Sequence, residues 1–287
     1  MISINTNYGG IFAAKASSQS QLQIDQAMER LSTGKRINHA RDDAAGQAIA
    51  TRLSAEIEGL AMASRNVADG QSLVDTAEGA LVETHALLLR MREIGVQAAN
   101  GTLSSSDNEA LDAEFQQLVA EIDRISDNTS WAGTKLLNGD ATGDYNTSAT
   151  FTFQAGVNNA TADRITIEVK NADSATLGVK DLTAGANVVN LLDMTNAQAA
   201  ITLVDNAIAS VSAERGKLGA VSNRMSSTMA NLDQITVNLT ASKGRIEDSD
   251  FAAETGNLAK GQILQQAATA MLAQANASKQ QVLTLIR

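Results

Sequence analysis

The 287-residue chain has no cysteine and no proline, two histidines, and aromatic side chains at only 3% of its positions. Without cysteine there is no disulfide framework, no thiolate metal site and no Cys nucleophile. Average usage of about 5% would give roughly fourteen prolines. Their absence removes the residue that breaks helix interiors and central strands, and with it any slow X–Pro isomerisation during folding. His39 and His85 stand far apart and form no HExxH pair. There is no Gly-rich phosphate loop after a strand and no G-x-S-x-G elbow. The close carboxylate pairs Asp42–Asp43 and Asp248–Asp250 flank expected helix starts, where negative charge is favourable in any case. These absences point to a chain that is not an enzyme and takes no metal or cofactor.

Long apolar runs are missing as well. The longest aliphatic run is Ala86–Leu89, too short to cross a membrane. Met1–Tyr8 lacks the basic flank and the apolar core of a cleaved signal peptide. The formal net charge of −10 opposes binding to nucleic acid or to an anionic membrane surface.

What is present is alanine and aliphatic residues at helical spacing. Leu53, Leu60, Val67, Val74, Leu81 and Leu88 recur every seven residues, with the small residues Ala63, Gly70 and Ala77 three positions further on. The pattern predicts one helix over 44–97, about 80 Å long at 1.5 Å per residue. Val204, Val211, Leu218, Met225, Leu232 and Leu239 repeat the spacing near the other end, supported by Ile201 and Ile208. A seven-residue repeat keeps one seam facing a partner, so these two helices are natural antiparallel partners and the expected main core. A shorter helix is predicted from Ser106, with Ser106 and Glu109 as its capping box and Leu111, Phe115, Leu118, Ile122 and Ile125 on one face. Between the helical parts, residues 138–163 have a loop composition. Phe151 and Phe153, then Ile165, Ile167 and Val169, alternate with polar residues as in a β-hairpin.

The last predicted helix, 262–285, carries two apolar tracks. One is Leu264, Met271, Ser278 and Leu285, and the other is Ala268, Ala275 and Val282. Ile11, Ile24, Met28 and Leu31 answer them at the start of the chain. A lone pair of such helices is marginal in water. The expectation is that both ends order only on meeting other subunits.

Specific motifs then carry a resemblance. Ile4-Asn5-Thr6-Asn7, Leu31 through Asn38 and Asp42 through Gly46 closely resemble the N-terminal signature of bacterial flagellins. Arg215 through Ala220, Asn223-Arg224, Arg245 through Asp248 and Gln274 to Leu285 resemble their C-terminal signature. The likeness spans roughly residues 1–140 and 190–287, and Thr150–Leu182 is similar to the hairpin of the inner domain. It implies a short flagellin without the outer variable domains. The implied fold is mainly α: long antiparallel coiled-coil-like helices forming a rod, a small β-hairpin region, and terminal helices paired into an inner α-helical tube. The expected segments are 1–42 and 245–287 for the tube, 43–137 and 191–244 for the rod helices, and 138–190 for the loop and hairpin.

The same resemblance implies a subunit of the extracellular flagellar filament, exported unfolded through the type III channel. Its implied partners are further copies of itself or sister flagellins, an export chaperone on the C-terminal segment, and the filament cap and hook-junction proteins. Ile24, Met28, Leu31, Leu264, Ala268, Met271, Ala275, Val282 and Leu285 are the expected assembly residues. The flagellin-sensing Toll-like receptor would meet Arg90, Ile94 and Glu114, although Leu89 and Ile94 depart from the recognised pattern. Two other readings are a hook–filament junction protein and a chemoreceptor-like signalling coiled coil. An enzymatic flagellin with a peptidase insert is excluded, because the sequence contains no metal-ligand set.

Overall fold

The computed structural model describes residues 6–138, 149–180 and 189–285, with side chains described as far as Ser278. Five helices and two small antiparallel hairpins follow in order: α1 (Tyr8–Thr33), α2 (Ala44–Ala98), α3 (Ser105–Asn128), β1 (Ser130–Trp131), β2 (Thr134–Lys135), β3 (Ala149–Gln154), β4 (Arg164–Val169), α4 (Met194–Glu247) and α5 (Phe251–Leu285). They divide into two compact units: residues 1–58 with 236–287, and residues 59–235. Helices α2 and α4 contribute to both, so the terminal unit takes in more of each long helix than the limits 42 and 245 expected from sequence.

In the central unit α2 and α4 pair antiparallel. Gln71 reaches Ser222 at 3.4 Å, Glu78 meets Arg215 at 3.5 Å and Arg92 meets Asp205 at 2.7 Å, so partner numbers fall as residue numbers rise. The seven-residue seams form the core as expected. Leu60, Val67, Val74, Leu81 and Leu88 are buried, as are Val204, Val211, Leu218, Met225 and Leu232. The outermost members, Leu53 and Leu239, fall in the terminal unit and are half-buried.

Strands β3 and β4 pair in the register Phe151↔Ile167 and Phe153↔Ile165. Ile165, Ile167 and Val169 point inward and are buried. The hairpin seats against α2 at Gly70, where a Cβ would lie 2.7 Å from Met225 Cε and 3.1 Å from Phe153 Cδ2. The glycine lets the side chains of both the hairpin and α4 approach the α2 backbone closely; a larger residue would oblige Phe153 and Met225 to shift. The loop composition predicted from Asn138 onward falls partly on 139–148, and the tail of the 138–190 segment on 181–188; both stretches lie outside the described residues.

Helix α3 starts one residue before the sequence reading and is capped differently. Ser104, not Ser106, is the N-cap: its hydroxyl accepts the Asp107 N–H at 3.3 Å, and the Asp107 carboxylate accepts the Ser104 N–H at 3.0 Å. The reciprocal box is therefore Ser104–Asp107 rather than Ser106–Glu109. Aspartate at the third helical position can reach back as glutamate does, and Asn100–Leu103 form the turn that delivers Ser104. The buried face of α3 is centred on Phe115, Val119, Ile122 and Ser126, leaving Leu111, Leu118 and Ile125 half-buried at its margins.

Candidate self-assembly interface

In the terminal unit α1 and α5 lie antiparallel along a seam of small residues. Asn7 caps α1 by accepting the Gly10 N–H at 3.1 Å, and its amide reaches across to Asn276 at 3.2 Å. Gln21 meets Gln265 at 2.6 Å, and Arg30 meets Glu254 at 3.1 Å. Between these ties Gly10, Ala13, Ser20, Ile24 and Ala27 of α1 are buried. On α5 the covered positions are Glu254, Gly261 and Ala268 at seven-residue spacing, followed by half-buried Ala275. Small side chains let the two backbones come close, and a single track on each helix suffices to join them.

The other apolar track stays open. Leu264 is 42% exposed and Met271 64%; across the groove Phe12 of α1 is 76% exposed. With Ala13, Ala16, Ala267 and Ala268 they line an apolar groove of about 610 Å³. Tyr8, Ile11, Leu22, Met28, Phe251 and Ile263 add further exposed apolar surface to the same pair of helices. Scattered exposed apolar residues are ordinary, but a contiguous apolar strip marks an interaction surface.

The expected assembly residues therefore differ in exposure. Ile24 and Ala268, each 7% exposed, are already covered by the pairing of α1 with α5 within one chain. Leu264, Met271 and Met28 are open, while Leu31 and Ala275 are half-buried. The side chains of Val282 and Leu285 lie outside the described residues. Phe12 escaped the sequence reading because it sits one position off the Ile11 track. Its signal was an aromatic ring beside that track in a chain with almost none.

The family model of the bacterial flagellin N-terminal helical region matches residues 4–142, and that of the C-terminal helical region matches residues 201–286. The chain belongs to the bacterial flagellin family. It is 44% identical to the flagellin of Halalkalibacterium halodurans over 92% of each chain, and 43% identical to that of Bacillus subtilis over 99% of each. A flagellin fold without a large variable domain accounts for this end-to-end match. A solved structure assigned to a flagellar hook-associated protein of Vibrio parahaemolyticus shares the fold, with a TM-score of 0.59 at 16% identity over 72% of this chain and 100% of that one. As a flagellin the chain is a structural subunit of the flagellar filament, which is extracellular. Among the described residues no helix is long and apolar enough to cross a membrane.

The receptor patch expected from the flagellin resemblance is only partly at the surface. Arg90 pairs with Glu114 at 2.8 Å and with Glu93 at 3.1 Å, all three exposed. The Glu114 hydrogen bond first, then that of Glu93, holds the guanidinium protonated beyond its ordinary range. Ile94, by contrast, is 1% exposed. It lies three residues beyond buried Met91 on the core face of α2, so it packs inside the central unit rather than at the surface that carries Arg90 and Glu114.

Proposed function

We propose that the subunit polymerises through the apolar groove between α1 and α5, with Phe12, Leu264 and Met271 as the surface that neighbouring copies cover, and that these helices build the inner layer of the filament. The carrying observation is that the α1–α5 pairing leaves the Leu264–Met271 track bare while it buries the Gly261–Ala268 track. An open-ended filament requires that the surface filling the groove differ from the groove itself, so that copies add head to tail.

The same bare surface is what an export chaperone would shield on α5 before assembly, with Phe251, Ile263, Leu264 and Met271 as its natural footing. Export in unfolded form is favoured by the absence of proline and cysteine, since no isomerisation or thiol exchange delays folding after transit. The cap and hook-junction proteins are read as partners of filament ends, and the Toll-like receptor as a partner of Arg90 and Glu114 alone.

The test is seeded elongation followed by electron microscopy. Replacing Leu264 and Met271 together by lysine should abolish elongation, because two charges would be enclosed without partners. Circular dichroism should show the central helices intact. A double variant that elongates normally would remove the groove from assembly.

A further inference from the structure

The two connections that join terminal to long helices, 34–43 between α1 and α2 and 248–250 between α4 and α5, run side by side in the terminal unit. Arg36 N–H donates to the Glu247 carbonyl at 2.6 Å, and Ser249 N–H donates to the Gly34 carbonyl at 3.0 Å. These bonds bracket a single antiparallel pairing of Lys35 with Asp248. So short a two-stranded contact does not sustain itself in water.

Side chains reinforce it. Lys35 Nζ lies 2.5 Å from Glu247 Oε1, and Lys243 Nζ lies 3.7 Å from Oε2. Arg36 Nη2 donates to the Ile246 carbonyl at 2.7 Å. The Glu247 side chain is 12% exposed and that of Lys35 49%, so the carboxylate is the partner with most to lose when the pair is broken.

We propose that the Lys35–Glu247 pair is an acid-released latch that fastens the α1–α2 connection to the α4–α5 connection. The hydrogen bond from Lys35 outweighs the opposing effect of burial and holds the Glu247 carboxyl below its usual range. A depressed carboxyl contributes its full stabilisation above the ordinary carboxylate value and loses it as pH falls through the lower folded value. The latch is thus closed at neutral pH and opens in acid.

The neighbouring charges do not replace it. Arg36 is shared with Asp43 at 3.6 Å, and Arg245 turns to Ser242 at 3.0 Å. His39 pairs with Glu29 at 2.9 Å, and Glu254 of α5 is engaged by Arg30 at 3.1 Å. Asp248, paired with Lys35 across the bridge, adds a second negative charge to the α4–α5 connection.

Amide hydrogen exchange on the full chain reads the latch directly. The Arg36 and Ser249 amides are the reporters, Val74 and Val211 in the central core are the references, and rates are corrected for the intrinsic pH dependence of exchange. At pH 7 the reporters in Glu247→Gln should exchange several-fold faster than in the parent, because the ion pair that protects them is gone. Parent and variant should converge as pH drops below the ordinary carboxylate range. Lys35→Met, altered on the exposed side only, should accelerate the same two amides. Equal protection of the reporters in parent, Glu247→Gln and Lys35→Met at pH 7 would overturn the latch.

Discussion

Glu214 is 4% exposed in the central unit. Its Oε1 accepts the Lys170 N–H at 3.1 Å, just past the end of β4, while Lys217 Nζ stands 3.4 Å from Oε2. Lys217 is 60% exposed, so solvent screens that pairing and it contributes little. The hydrogen bond to Lys170 matters more, because it fixes the end of the hairpin to α4. Glu214→Ala should therefore lower stability by about 1.5–3 kcal/mol, the usual worth of a hydrogen bond to a charged group. Glu214→Gln keeps an acceptor oxygen and should lose much less; denaturant unfolding of both variants separates the two outcomes. Neither Glu214 nor the burial of Ile94 was legible in the sequence. A glutamate inside a helix reads as solvated, and an isoleucine next to Arg92 and Glu93 reads as surface until the phase of the whole helix is known.

At the scale of the element, the α3 cap makes a sharp distinction between neighbouring serines. Ser104→Ala should destabilise the chain by about 1 kcal/mol, a typical cost for a lost N-cap. Ser106→Ala, inside the first turn, should leave the thermal midpoint almost unchanged. Thermal unfolding of the two variants side by side checks this, and equal losses would contradict the assignment. The Ser104–Asp107 box and the Ser106–Glu109 box have the same spacing, so local pattern alone could not choose between them. The turn at Asn100–Leu103 decides. The seven-residue seams of α2 and α4 were far more legible, since six repeats in phase leave one choice of buried face. The hairpin was legible for the same reason: alternation in both strands agrees on which side is inward. The terminal helices were read only in part. Their two apolar tracks were plain in sequence, but nothing local says that the alanine track would be covered by α1 and the Leu264–Met271 track left bare. That depends on the long-range pairing of residues more than two hundred positions apart.

For the whole molecule, charge is the property that composition fixes best. Each subunit carries a formal net charge of −10, so copies brought together in a filament repel one another. The Debye length falls from about 30 Å at 0.01 M salt to about 8 Å at 0.15 M. Seeded elongation, followed by light scattering, should therefore accelerate as ionic strength rises across that range. Slower growth at higher salt would mean that attraction between unlike charges, rather than apolar burial, dominates the contact between copies.

The notch at Gly70 also sets an order of events in time. The β3–β4 hairpin is a local structure and can zip up on the microsecond scale. Phe153 has nowhere to dock until α2 has formed and Met225 of α4, distant in the chain, has come alongside. Until then a one-residue slip between the strands would turn their inner side chains outward with little penalty. The hairpin is thus expected to form early and to commit to its register late, when α4 closes onto α2.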